Sequence, residues 1–97
     1  MGMDLKPLNK RRCLKDEDNE PQYGRYNIWA WERLNHFCIE HNLPALPMWN
    51  DGDKITASQC KMIAKLLREP EKLEAFNIEW IRDDIEWWEK CGGCRVY

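Results

Sequence analysis

Hydrophobic residues recur with helical spacing over residues 28–41. One face carries Ala30, Trp31, Leu34, Phe37, Cys38 and His41 at i, i+3, i+4 and i+7 intervals. Asn27 precedes this pattern as a favourable N-cap residue, so a first helix is predicted from there to about His41. Ile28 and Trp29 point away from the apolar face. Trp29 must therefore meet another element, meet a partner or stand exposed.

A second helix is predicted from residue 56 to about residue 68. Thr56 and Gln59 have the spacing of a capping box, in which each side chain reaches the other residue's free backbone N–H. The core face then carries Cys60, Ile63, Ala64 and Leu67. Pro70 ends this helix or opens the next one.

A third helix is predicted over about residues 70–91. Its apolar residues are Leu73, Phe76, Trp80, Ile81, Ile85, Trp87 and Trp88. This arc is wider than one packing partner needs, so we expect the helix to lie between other elements or to face a second subunit. Gly92 stands where the residue after a helix end belongs. Residues 94–97 then predict a short extended segment, which pairs with either 23–26 or 48–55.

The remaining segments are a connection and a polar terminus. Pro44 and Pro47 exclude regular helix, and Asn50-Asp51-Gly52 indicates a turn, yet the apolar residues around them predict an ordered loop. Residues 1–20 show no hydrophobic period and carry a basic stretch followed by an acidic run. They are predicted to be a flexible N-terminal tail, with a basic arm that docks on nucleic acid or an acidic partner as the alternative.

These elements predict a mainly α fold, a compact three-helix domain with an ordered Pro-rich loop and one short terminal β pairing. The tail would span 1–20 and a single helical domain 21–97. No apolar run reaches the roughly 18 residues of a membrane span, and neither a signal-peptide nor a myristoylation pattern opens the chain. A cytoplasmic location is therefore expected.

Composition favours protein interaction over other functions. The chain has six tryptophans in 97 residues, and a domain of this size is expected to leave some of them at the surface. Trp29, Trp49 and Trp88 are the predicted interaction residues. The formal net charge of −2 shows no basic excess of the kind typical of nucleic-acid binders. Weak nucleic-acid binding remains an alternative, through a basic face of helix 54–68 formed by Lys54, Lys61, Lys65 and Arg68.

Cysteine chemistry gives a second alternative. The odd count of five cysteines argues against a disulfide framework. Cys91-Gly92-Gly93-Cys94 has metal-ligand spacing, and His36 and His41 could complete a structural zinc site. Cys38 and Cys13 are further ligand candidates. The same pair is also consistent with a redox function or with two ordinary thiols at a helix end. No cofactor is expected in the preferred interpretation.

No combination of nucleophile and base indicates an enzyme. His36 and His41 lack a nucleophile motif nearby, and the sequence has no phosphate-binding glycine loop. The preferred interpretation is a non-enzymatic module that binds a protein partner or forms a homodimer.

Three motifs together resemble a family of small uncharacterised bacterial proteins. They are Trp29-x-Trp31, the run Asn50-Asp51-Gly52-x-x-Ile55-x-Ala57, and Gly92-Gly93-x-Arg95-Val96. The resemblance covers residues 26–97 in separate pieces. It implies no activity and no functional residue, and the cysteine pair is not part of the shared pattern.

Overall fold

The computed structural model describes residues 2–97, which form a mixed α/β fold. In chain order the elements are β1 (Gly2–Pro7), β2 (Gly24–Asn27), α1 (Ile28–Glu40), β3 (Lys54–Ile55), α2 (Ala57–Leu67), α3 (Pro70–Ala75), a 3₁₀-helix (Glu79–Asp84), α4 (Ile85–Lys90) and β4 (Cys94–Val96). The strands form an antiparallel sheet in the order β2-β1-β4-β3. The predicted mainly α, three-helix class was therefore wrong.

The prediction of a flexible tail over 1–20 was also wrong for the described residues 2–20, because β1 lies in the middle of the sheet; Met1 is outside the described residues. β1 pairs with β2 on one side and with β4 on the other. Its side chains alternate strictly, and Met3, Leu5 and Pro7 are buried. Pro7 has no N–H to donate, but the N–H groups of Asp4 and Leu8 face β4, which places the nitrogen of Pro7 on the other side of the strand. On that side β2 reaches only as far as the pair Leu5–Gly24, so no strand lies opposite Pro7 to accept a hydrogen bond.

The connection between β1 and β2 is held against the C-terminal turn. The backbone N–H of Leu8 donates to the carbonyl oxygen of Gly93, and that of Asn9 donates to the carbonyl oxygen of Cys91; each N···O distance is 2.9 Å. Gly92 has φ 69°, and a Cβ there would lie 2.3 Å from the Cβ of Asn9. Glycine is therefore required at this position by conformation and by space.

The sheet buries one face and leaves the other open. Tyr26, Met3, Leu5, Val96 and Ile55 lie on the buried face, beneath the helices. The residues between them along the strands are exposed. Because side chains alternate across a strand, the register assigns every strand residue to one of these two faces.

The first two predicted helices are confirmed as α1 and α2. Asn27 Oδ1 accepts from the N–H of Ala30 at 2.7 Å, and Thr56 Oγ1 accepts from the N–H of Gln59 at 3.2 Å. The Gln59 side chain does not complete the capping box, since its Nε2 donates to the carbonyl oxygen of Pro44 at 3.1 Å. Gln59 thereby ties the start of α2 to the Pro-rich loop.

The predicted third helix is divided into α3, the 3₁₀-helix and α4. Asn77, at φ 56°, adopts the left-handed conformation that commonly ends a helix. The 3₁₀-helix then changes the direction of the chain. Because the apolar residues lie on three short pieces, Leu73, Ile81 and Trp88 all reach one core. The apolar residues cover a wide arc only on a single continuous helix, and here they belong to three separate helical segments.

The Pro-rich loop is ordered, as predicted. Trp31 Nε1 donates to the carbonyl oxygen of Pro47 at 2.7 Å, and the N–H of Leu46 donates to Asn35 Oδ1 at 2.7 Å. The predicted terminal β pairing with 48–55 is confirmed as β4 with β3. Within residues 2–97, no helix has both the length and the apolarity to cross a lipid bilayer.

Replacement of Leu5 tests the position of β1. Leu5 is completely buried, so Leu5→Ala should lower the free energy of unfolding by about 2–5 kcal/mol. Chemical denaturation measures this change. Lys6→Ala, the exposed neighbour on the same strand, is the control and should change stability by about 0.5 kcal/mol or less. Equal, small effects of both variants would contradict a central β1.

Candidate interaction surface

An aromatic cluster fills the space between β2, α1 and α4. The ring centroid of Tyr26 lies 5.7 Å from that of Trp31 and 6.3 Å from that of Trp88. Trp88 is completely buried and its indole N–H donates to the Tyr26 hydroxyl at 3.0 Å. The expectation that Trp88 belongs to a contact surface was therefore wrong. Trp87 and Trp88 are both buried, because α4 is a helix separate from α3 and has its own orientation.

The Tyr26 hydroxyl connects this cluster to a carboxylate. It donates to Asp84 Oδ2 at 2.8 Å and accepts a hydrogen bond from the indole N–H of Trp88. Burial, followed by the neighbouring charge of Asp84, raises the pKa of Tyr26 well above its ordinary value. Burial also raises the pKa of the half-buried Asp84, although the hydrogen bond from Tyr26 opposes the shift. Asp84 is thus a partly desolvated carboxylate held in one orientation.

Asp84 lies in a groove that two exposed tryptophans flank. This Trp29–Trp80 groove has a volume of about 350 Å³ and is lined by Arg25, Tyr26, Asn27, Trp29, Ala30, Trp80 and Asp84. Trp29 is 58% exposed and Trp80 is 43% exposed. The Tyr26 ring lies 6.1 Å from the Trp80 ring. The groove therefore combines aromatic walls with one oriented carboxylate.

Trp29 also borders a second groove on its other side. This Trp29–Phe76 groove has a volume of about 420 Å³ and includes Arg33 and His36 in its lining. The Arg33 guanidinium carbon lies 4.0 Å from the centre of the Trp29 ring, a cation–π contact. His36 is exposed there, with its ring 5.5 Å from that of Phe76. Trp29 is thus a ridge between two grooves.

Trp49 lies at a different place on the surface. It is 75% exposed and borders a pocket of about 210 Å³ with Gly2, Met3, Ile28, Met48 and Asn50. Neither groove beside Trp29 includes Trp49 in its lining. Of the three predicted contact residues, Trp29 and Trp49 are therefore exposed, on separate sites.

The structure does not assemble the predicted zinc ligands. Cys91 and Cys94 are buried in the core, while His36 is exposed and His41 Nδ1 lies 2.7 Å from the carbonyl oxygen of Phe37. Among residues 2–97, no group of three or more His, Cys, Asp or Glu side chains is arranged to hold a metal ion. Cys91 and Cys94 lie at the two ends of the turn between α4 and β4.

Cys60 joins this pair inside the core, a grouping that sequence spacing did not indicate. The neighbouring Cys60 and Cys94 thiols lower the pKa of Cys91 below its ordinary value, and its Sγ lies 3.4 Å from the carbonyl oxygen of Trp88. Hydrogen bonding to Cys91 raises the pKa of Cys60. Elsewhere, burial raises the pKa of Cys38 to about 12. All four of these cysteines are 0% exposed, so none of the thiols is accessible to solvent.

The predicted basic face of helix 54–68 is divided between two elements. Lys61 and Lys65 are exposed on α2, whereas Lys54 belongs to β3. Arg68, at the end of α2, is ion-paired with Glu89. The four cations therefore do not form one helical surface.

Removal of the Tyr26 hydroxyl tests its position in the hydrogen-bond chain. Tyr26→Phe leaves the buried Trp88 N–H without its acceptor, so the free energy of unfolding should fall by about 1–3 kcal/mol. Tyr23→Phe, at a tyrosine that is 43% exposed, is the control and should be neutral within about 0.5 kcal/mol. Equal stability of the two variants in chemical denaturation would refute the buried hydrogen-bond chain.

Thiol labelling tests the burial of the cysteines. All five are free and buried, so a maleimide should label the native protein only at the rate at which it opens. The denatured chain should react at all five positions. Mass spectrometry of timed samples counts the labelled thiols. Immediate labelling of Cys91 in the native protein would show that the turn between α4 and β4 is open to solvent.

In comparisons with family models, curated proteins and solved structures, nothing matches this chain. The family resemblance drawn from the three sequence motifs therefore stays a prediction. The function must be argued from the exposed tryptophans, the grooves and the charges.

Proposed function

We propose that this chain is a non-enzymatic protein-interaction domain that binds its partner in the Trp29–Trp80 groove. The observation that carries this proposal is the exposure of Trp29, 58%, at the shared wall of two grooves. A partner that covers an indole ring removes a large apolar area from water, and tryptophan is enriched among residues that dominate binding energy.

The chemistry of the groove favours a basic side chain of the partner. Aromatic faces attract Lys and Arg cations, and a carboxylate accepts strong hydrogen bonds from them. Asp84 supplies the carboxylate between Trp29 and Trp80. The Tyr26 hydroxyl fixes its orientation, so little order has to be imposed on the groove at the moment of binding.

Rigid support distinguishes this groove from the Trp49 site. The Trp29–Trp80 groove is built from β2, α1 and the 3₁₀-helix, and the Tyr26–Asp84 hydrogen bond joins β2 to the 3₁₀-helix. Trp49 instead extends from the loop between α1 and β3. Trp49 is thus an exposed tryptophan outside the proposed site, beside a separate pocket that is lined largely by apolar side chains.

We also propose that the domain acts in the cytoplasm. All five cysteines are free thiols in the structure. Free thiols persist in reducing compartments, whereas oxidising compartments favour disulfides. The partner in this proposal is a cytoplasmic protein or a second copy of the chain.

Selection from a displayed peptide library tests the proposed function. Peptides enriched on the wild-type domain should lose about tenfold or more in affinity for Trp29→Ala, because the variant removes the shared wall of the groove. Trp49→Ala is the matched control at an exposed tryptophan and should retain the selected peptides. Isothermal titration calorimetry measures each affinity, and circular dichroism verifies that both variants remain folded.

Two outcomes would contradict the proposal. Failure to enrich any peptide, or equal affinity of the enriched peptides for wild type and Trp29→Ala, would exclude this groove as a binding site for protein segments. Sedimentation of the same three proteins identifies the partner type, since a dimer lost only in Trp29→Ala would make a second copy of the chain the occupant.

A further inference from the structure

The open face of the sheet carries a row of positive charge. Lys6 of β1 lies opposite Arg95 of β4, and Arg95 lies opposite Lys54 of β3. All three are exposed, and direct opposition places their side chains on the same face of the sheet. The row crosses three adjacent strands.

This register is unfavourable for the isolated protein. Like charges directly opposite each other on neighbouring strands destabilise a sheet. The N–H of Val96 bonds to Asp53, so Arg95 and Lys54 form a non-hydrogen-bonded pair, the type in which facing side chains are closest. Three cations in this arrangement raise the local positive potential and weaken the sheet that carries them.

Acidic residues within the described chain do not neutralise the row. Among residues 2–97, Lys6, Lys54 and Arg95 take part in no ion pair with an acidic side chain. Asp4, on the same face, is paired with Arg25, whose Nε lies 3.4 Å from its Oδ1. One Arg95 N–H donates to the carbonyl oxygen of Gly52 at 3.0 Å, which leaves further guanidinium donors free.

An aromatic ring lies beside the charged row. The backbone of Tyr97 exchanges hydrogen bonds of 2.8 and 2.9 Å with Asp4, so Tyr97 lies on the open face with Asp4 and Arg95. Its ring is held against Gly52, where a Cβ would lie 3.3 Å from Tyr97 Cε1. The side chain is nevertheless 45% exposed. An oriented aromatic ring thus adjoins three exposed cations.

The net charge of the chain does not show that acidic and basic residues lie on different sides of the molecule. Residues 69–89, which include α3, the 3₁₀-helix and α4, contain eight acidic residues against two basic ones, a net charge of −6. That acidity is on the helical side, while the open sheet face is basic. A net charge of −2 is therefore compatible with a surface that attracts anions.

We propose that the open sheet face binds single-stranded nucleic acid. The row Lys6–Arg95–Lys54 contacts successive backbone phosphates, and Tyr97 stacks on a base. Charge complementarity selects an anionic ligand, and the adjoining aromatic ring favours a nucleic acid over an acidic protein, because bases stack on exposed rings. This site is separate from the Trp29–Trp80 groove and does not depend on the function proposed for it.

Fluorescence anisotropy with a labelled oligo(dT) of about 12 nucleotides tests this binding. Affinity should fall as salt rises from about 50 to 200 mM, with a slope near −2 in a log–log plot, because about three phosphate contacts on a single strand are involved. The double variant Lys6→Gln/Lys54→Gln should bind at least about fivefold more weakly and reduce this slope by more than half. Lys61→Gln/Lys65→Gln on α2 is the control and should bind like wild type.

Stability and stacking give two further measurements. The Lys6→Gln/Lys54→Gln variant should have an unchanged or higher melting temperature, because it relieves like-charge repulsion. Weaker binding by a variant that is at least as stable cannot be attributed to unfolding. Tyr97→Leu should weaken binding about five- to a hundredfold with little change in the salt slope, since it removes stacking and leaves the phosphate contacts.

Three results would overturn the proposal. The first is no salt-dependent binding of the oligonucleotide by wild type. The second is a loss of binding in the α2 control equal to that in the sheet variant. The third is displacement of the oligonucleotide by polyglutamate at equal concentration together with full binding by Tyr97→Leu, which would make an acidic protein surface the ligand.

Discussion

The fold depends on the need of buried indole N–H groups for hydrogen-bond acceptors. Trp31, Trp87 and Trp88 are buried, and each donates to a different segment. Their acceptors are the carbonyl oxygens of Pro47 and Gln22 and the hydroxyl of Tyr26. A buried donor left without a partner costs about 1–3 kcal/mol. These three bonds therefore hold the Pro-rich loop, the β1–β2 connection and β2 against one core.

The same requirement divides the tryptophans into structural and surface residues. Within residues 2–97, the indole N–H groups of Trp29, Trp49 and Trp80 have no protein acceptor, which their exposure to water allows. Tyr26 connects the two sets, because its hydroxyl joins buried Trp88 to Asp84 in the Trp29–Trp80 groove. The stability of the core and the shape of the proposed binding site therefore rest partly on one hydroxyl group.

Local signals predicted α1, α2 and the ordered loop, since periodicity, N-cap residues and prolines act over a few residues. The sheet was missed because pairing joins distant segments, and Met3-Asp4-Leu5 alternates over too short a run to stand out beside the charges that follow it. The exposure of Trp29 followed from its helical position, but the groove also needs Trp80 and Asp84 from another element. Likewise, only strand register places Lys6 beside Arg95 and Lys54.

The central pairing of β1 with β4 has a consequence for how the chain folds. The two strands come from opposite ends of the described sequence, and β4 lies between β1 and β3 in the sheet. During synthesis β1 leaves the ribosome first among the described elements, whereas its neighbour β4 leaves last among them. The helices α1 and α2 form from local contacts, whereas the pairing of β1 and β3 with β4 waits until β4 has been made. Until β4 has been made, the apolar residues of β1 lack one of their two neighbouring strands, and in this interval Met3 and Leu5 favour association with other chains.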